Sequence, residues 1–357
     1  MRTINLALQG GGSHGAFTWG VLDALLADGR VGIEGLSGAS AGAVNAVALA
    51  SGYARGLASG QDPRQSARDC LARVWGEVSS WGSLGAMQQN LARMLWGGLA
   101  PSVTNPLDIN PLRALIEREV DFEAVARQRH LKVFVSATHV NTGRAVIFTG
   151  SDLTLQAVMA SACLPMVFRP VTIAGESYWD GGYSVNPPLS PLIDGCGSRD
   201  ILLVQINPLR REKVPDSMPD IVDRINELTF NASLLTQMRS IDFINRLIEE
   251  GALRGGRCKH VLLHRVDGGA AIAGYAASTR QSTDPALISS LFDLGQHSAR
   301  EWLGRHFEAL GQRGTVNVRR DYLDDTEDVL PGQPRGFRPW LARLFRRRDS
   351  ANQKTPV

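Results

Sequence analysis

Residues 3–15, TINLALQGGGSHG, and residues 31–45, VGIEGLSGASAGAVN, decide how this chain is read. Each starts as a short apolar run of strand type and passes through a glycine-bearing turn. Each then enters an apolar helical stretch, about residues 16–26 in the first case and 41–53 in the second. Further along, residues 131–138, 145–149, 200–206 and 260–266 read as strands. Residues 62–100, 153–162, 218–250 and 285–309 read as helical, and another helix starts at Pro111 with Asn110 as its N-cap. Asn141-Thr142-Gly143 supplies a turn between two of the strands. Strands alternating with helices predict an α/β fold: three layers, α/β/α, around a mostly parallel central sheet.

Composition narrows the class. With 357 residues and 43% hydrophobic side chains, the chain can bury a large core. A formal charge of +3 gives no case for nucleic acid as a partner. The cysteines Cys70, Cys163, Cys196 and Cys258 form no CxxC pair, which points to a reducing compartment and away from a zinc ribbon. His260 and His264, at i and i+4 of a strand, would lie about 13 Å apart, too far for one metal ion. No cofactor and no metal is implied. The apolar stretch before the first glycines is too short for a signal peptide. The uncharged run 35–54 is built from Gly, Ala and Ser rather than large apolar residues, so it does not read as a membrane span. The expected location is cytoplasmic.

Three clusters can carry chemistry. Gly10-Gly11-Gly12-Ser13-His14-Gly15 follows a strand and precedes a helix, a context that leaves backbone N–H groups aimed outward for a phosphate or an oxyanion. It also matches GxGxxG, with Glu34 placed where a ribose-binding acid would stand. Gly38-Ala39-Ser40-Ala41-Gly42 is a GxSxG string between strand and helix, where Ser40 would be a nucleophile on a sharp turn. Asp180-Gly181-Gly182 offers a carboxylate in a turn, with Asn186-Pro187-Pro188 shortly after it. A serine nucleophile needs a base. The residues alone leave open Asp180 or one of His260, His264, His297 and His306.

In this order and at these spacings the three clusters resemble the patatin-like phospholipase family. Asn141-Thr142-Gly143, Ser161-Ala162-Cys163-Leu164-Pro165 and Phe168-Arg169-Pro170 add to the resemblance, which covers roughly residues 4–210. It implies a patatin-like fold and a Ser40–Asp180 dyad without a catalytic histidine, hydrolysing acyl esters of lipids through an acyl-serine. It also implies an oxyanion hole built from Gly10, Gly11, Gly12 and Ala41, supported by His14, Gly15, Gly38, Gly42, Gly181 and Gly182. The sequence departs from the pattern at His14, where the family usually has Arg or Lys. It departs again at His139, where an acid often follows the threonine. A group titrating near neutrality is therefore expected where a permanent cation usually stands.

Residues 1–310 are read as the hydrolase domain. Trp75, Trp81, Met87, Leu91, Met94, Leu95 and Trp96 mark segment 75–110 as a cap or acyl-channel insertion. Residues 311–357 are read as a tail. Within it, Phe337, Trp340, Leu341, Leu344 and Phe345 fall on one face of a helix over 337–348, with arginines around them, a pattern suited to an anionic membrane surface. Peripheral contact with the inner membrane face would follow. Three other functions remain in view: a carboxylesterase or polyester depolymerase with the same dyad, a dinucleotide-binding oxidoreductase using Glu34, and a non-catalytic lipid-binding protein.

Overall fold

The computed structural model describes residues 1–82, 105, 108–211, 214–253, 258–275, 279–280 and 282–323. Among these residues eight strands form one sheet: β1 (Arg2–Leu8), β2 (Val31–Gly38), β3 (Lys132–His139), β4 (Ala145–Phe148), β5 (Val171–Ile173), β6 (Glu176–Asp180), β7 (Asp200–Gln205) and β8 (Leu262–Asp267). Their order is β5-β6-β3-β2-β1-β7-β8, with β4 also on β3. The β3–β2–β1–β7–β8 run is parallel throughout, while β4, β5 and β6 pair antiparallel. The expected mostly parallel α/β/α sheet is what forms.

Period-two alternation explains the layers. Ile4, Leu6 and Leu8 of β1, Val133 and Val135 of β3, and Leu202 and Val204 of β7 enter one core. Their alternates Ala7, Phe134, Ile201 and Leu203 enter the other. Both faces are apolar, so both need helices. On the first face lie α1 (Gly15–Asp28), α2 (Ala41–Ser59), α3 (Pro63–Ser80) and the C-terminal α10 (Pro285–His306). α1 is apolar on nearly all sides because α10 packs over it. α4 (Pro111–Glu119), α5 (Phe122–Arg127) and α6 (Leu155–Ser161) complete this layer. The second face is covered by α7 (Ser190–Gly195) and by Leu234, Met238 and Ile241 of α8 (Met218–Glu249). α9 (Gly269–Gly274) follows β8.

Several expectations change. Trp75, read as the start of an insertion, is buried in the first core and stacks on Trp19 at 6.4 Å. Its helix is continuous from Pro63 to Ser80, with Cys70, Leu71 and Val74 buried beside it. The body also runs past 311: Thr315 and Val316 donate to Leu263 O at 2.9 and 3.2 Å, and Tyr322 is buried against α8. The hairpin β5–β6 has no strong sequence signal, because its strands are short and its turn is Ala174-Gly175, both at positive φ. Met87, Leu91, Met94, Leu95 and Trp96 of the expected cap lie outside the described residues, as do Phe337, Trp340, Leu341, Leu344 and Phe345 of the tail. No helix among the described residues is long and apolar enough to cross a membrane.

Candidate active site

Strand pairing brings two of the clusters together. Val135 of β3 pairs with Gly38 of β2 and with Phe148 of β4, so these two strands take opposite edges. Ala137 pairs with Val146 of β4 and with Asp180 of β6. β4 holds one edge throughout, so β2 and β6 share the other. β2 runs parallel to β3 and β6 antiparallel, so their C-terminal ends meet head to head across Ser136. The chain that leaves β2 carries Ser40, and β6 ends in Asp180.

Ser40 sits between β2 and α2 with φ 53° and ψ −125°. This region is costly for any residue with a Cβ, of order 1–3 kcal/mol. The surroundings enforce it. The Ser40 amide donates to Ser161 Oγ at 2.9 Å, and the Gly42 amide closes the turn on Ala39 O at 2.8 Å. A Cβ on Gly42 would lie 2.2 Å from Leu8 O, and one on Gly38 would lie 2.5 Å from Gly42. The two motif glycines are therefore there because the backbone of the elbow packs against β1 and against itself. Asn45 fastens the elbow helix to the Gly-rich loop: its Nδ2 donates to Gly15 O at 3.0 Å, while Trp75 Nε1 donates to Asn45 Oδ1 at 2.9 Å.

Asp180 has no solvent exposure. Its Oδ1 accepts the Gly182 amide at 2.8 Å, its main-chain oxygen lies 2.7 Å from Thr138 Oγ1, and its own amide donates to Cys163 O. Burial pushes the carboxyl up to about 7, and the neighbouring Ser40 hydroxyl and the Gly182 amide pull it part of the way back. Oδ2 closes no hydrogen bond among the described residues. The carboxylate is thus held at one oxygen and open at the other, beside the serine. Such contacts are often loose before substrate binds.

The Gly-rich loop is fixed by three amide side chains that the sequence reading gave no role. Gln9 Oε1 accepts the amides of Ile206 and Asn207 at 3.0 and 2.9 Å, tying the loop to the end of β7. Asn207 Nδ2 donates to Gly10 O at 2.7 Å. Asn186 grips Gly10 from both sides, accepting its amide at 2.6 Å and donating to its oxygen at 3.2 Å. Gly10 is therefore not available as an oxyanion donor, because its N–H is already spent. The amides of Gly11, Gly12 and Ala41 have no acceptor among the described residues. Asn186 stood in the quoted Asn-Pro-Pro block, but its use depends on a partner 176 residues away.

His14 corrects a further expectation. It is 1% exposed, with Nε2 2.8 Å from Thr279 Oγ1 and its ring edge-on to Tyr275. Burial first, then the positive charges of Arg280 and Arg211, lower it to about 3. It is neutral at any physiological pH and does not titrate near 7. His139 lies at the outer end of β3, with Nε2 2.8 Å from Glu176 Oε2. Two of the candidate triad histidines are engaged elsewhere. His264 contacts Asp200 at 3.0 Å and Thr315 at 3.1 Å, and His260 contacts Glu249 at 2.8 Å. Among the described residues no histidine hydrogen-bonds Ser40 or Asp180. Glu34 accepts the amides of Gly197 and Ser198 at 2.6 and 2.9 Å, a structural task that removes it as a ribose ligand. A cavity of about 290 Å³ opens beyond β7 and β8, lined by Gln205, Asn207, Arg265 and Asp267. Neither Ser40 nor Asp180 lines it, so it is not where an ester would react.

Comparison with known proteins bears on the family. The family model for patatin-like phospholipase matches residues 6–193, a span that holds Ser40, Asp180 and the Gly-rich loop. Among solved structures, VipD from Legionella pneumophila is similar with a TM-score of 0.42 at 14% identity, over 92% of this chain and 74% of that one. No curated protein matches.

Proposed function

For this chain, which belongs to the patatin-like phospholipase family, we propose lipid acyl ester hydrolysis by a Ser40–Asp180 dyad through an acyl-serine. The observation that carries the reading is a strained serine at a helix N-terminus beside a fully buried carboxyl held near pH 7. A base with that pKa is half ionised at about pH 7, which suits it to accept and return one proton.

Asp180 Oδ2 takes the Ser40 proton as Ser40 Oγ bonds to the ester carbonyl carbon. The carbonyl oxygen becomes an oxyanion facing the amides of Gly11, Gly12 and Ala41, and the N-terminus of α2 adds its dipole. Collapse of this intermediate breaks the bond to the alcohol, which leaves with the proton from Asp180. A water molecule then gives a proton to Asp180 and its oxygen to the acyl carbon. The fatty acid departs and Ser40 recovers its hydrogen. Contact of the sequence 335–348 with an anionic lipid surface belongs to the same proposal, supported by its apolar spacing and its arginines.

The test is a hydrolysis screen of the purified protein on phospholipid vesicles, neutral glycerides, short p-nitrophenyl esters and hydroxyalkanoate oligomers. Ser40-dependent release of fatty acid from phospholipid or glyceride is the expected result. Activity confined to hydroxyalkanoate oligomers would replace the lipid reading with a polyester depolymerase. Activity on none of these substrates would favour a non-catalytic lipid-binding protein.

A further inference from the structure

The Gly-rich loop carries no arginine or lysine between Gln9 and Gly15, and its single titratable side chain is neutral. Positive charge nevertheless gathers beside it. Glu227, on the inner face of α8 and 1% exposed, is contacted by three guanidinium groups. Arg211 Nη2 lies 2.5 Å away, Arg280 Nη2 2.6 Å and Arg224 Nη1 3.0 Å. Among the described residues, three cations meet one anion here, a surplus of two positive charges. Their side chains are 20%, 10% and 21% exposed, so solvent and salt screen them only partly.

The cluster touches the loop directly. A Cβ on Gly12 would meet Arg280 O at 2.1 Å and Arg280 Cβ at 3.4 Å, so the backbone of residue 280 rests on Gly12. Thr279, the residue before it, holds His14. Arg211 donates to Ala273 O and, at 3.1 Å, to O of Tyr275, whose ring meets His14 edge-on.

We propose that Arg280, backed by Arg211, is a positioning residue that gives the oxyanion loop its positive potential, in place of a cation within the loop. This rests on the acyl-hydrolase reading above. Two observations support it. The main chain and Cβ of Arg280 lie against Gly12, which carries one of the loop's open amides, and its guanidinium is held beside the loop by Glu227. The charges of Arg280 and Arg211 also reach His14, where they disfavour a proton. A field that resists a proton on His14 favours the negative charge that develops on the substrate oxygen a few residues away.

The experiment measures kcat and KM on a neutral, soluble short-chain p-nitrophenyl ester for wild type, Arg280→Gln, Arg280→Lys and Glu227→Gln. Arg280→Gln is expected to lower kcat about tenfold with little change in KM, the order for one unit charge acting over roughly 12 Å through a medium of effective dielectric about 20. Arg280→Lys keeps the charge and is expected to retain most of kcat. Glu227→Gln removes a negative charge at constant shape and is expected to raise kcat. A clasp that is only structural would lose activity in all three variants, and that result overturns the proposal, as does wild-type kcat in Arg280→Gln. A wild-type protein without Ser40-dependent hydrolysis would instead overturn the hydrolase reading, a distinguishable outcome.

Discussion

Replacing Asp180 by asparagine should destroy the enzyme and stabilise the protein, and the two effects have one cause. The carboxyl is fully buried and its pKa is raised from 3.8 to about 7. In the unfolded chain it titrates at its ordinary value, so between about pH 4 and 7 the native state binds the extra proton. Stability therefore falls as pH rises through this window. From pH 5.5 to 8.5 the group crosses about 1.5 pH units of its native titration. At 1.36 kcal/mol per unit, this costs the wild-type fold about 2 kcal/mol. The amide of the Asp180→Asn variant has no such proton to lose. Urea titrations of both proteins at pH 5.5 and 8.5 isolate the difference, because every other titrating group is shared. The gap between mutant and wild type should widen by about 2 kcal/mol toward alkaline pH. In parallel, kcat/KM of the wild type should fall tenfold per pH unit on the acid side of about pH 7, because only the ionised carboxylate can accept the serine proton. The mutant should lose three orders of magnitude or more. Stabilities that run parallel across this range would refute a raised carboxyl and the role argued from it.

Asn186→Ala frees the Gly10 amide and leaves its carbonyl to Asn207 alone, so kcat should drop about 10- to 100-fold while urea denaturation shows a loss of only about 1–3 kcal/mol. His264→Gln breaks a buried contact with Asp200, distant from Ser40, and should cost about 3 kcal/mol in denaturation with kcat near wild type. Deleting residues 335–357 should weaken co-sedimentation with anionic vesicles, more at low salt than at high, and leave short-chain ester hydrolysis unchanged.

Much of the framework could be read from the chain because its signals are local. β7 announces itself by the apolar run Ile201–Val204, β1 and β2 by short, mostly apolar stretches that lead into glycine-bearing turns, and Asn110-Pro111 marks a helix start in two residues. GxSxG reads as an elbow because strand and helix flank it. What escaped is tertiary. The β5–β6 hairpin is three plus five residues around an Ala-Gly turn, too short for periodicity to show. Trp75 looked like a cap residue because its neighbours in sequence are aromatic and Met-rich, yet it is held by Trp19 and Asn45. Gly10 looked like a donor until Asn186 claimed its hydrogen. The state of His14 depends first on its burial and then on Arg280 and Arg211, far along the chain, and no motif encodes either.

The central claim is that Ser40 is the nucleophile activated by Asp180. Its most direct test is covalent labelling with a fluorophosphonate followed by peptide mapping by mass spectrometry. One adduct on Ser40 is predicted, absent in Ser40→Ala, strongly slowed in Asp180→Asn, and slower in wild type as the pH drops below 7. An adduct on another residue, or a Ser40→Ala protein that still labels and hydrolyses ester at the wild-type rate, would contradict it.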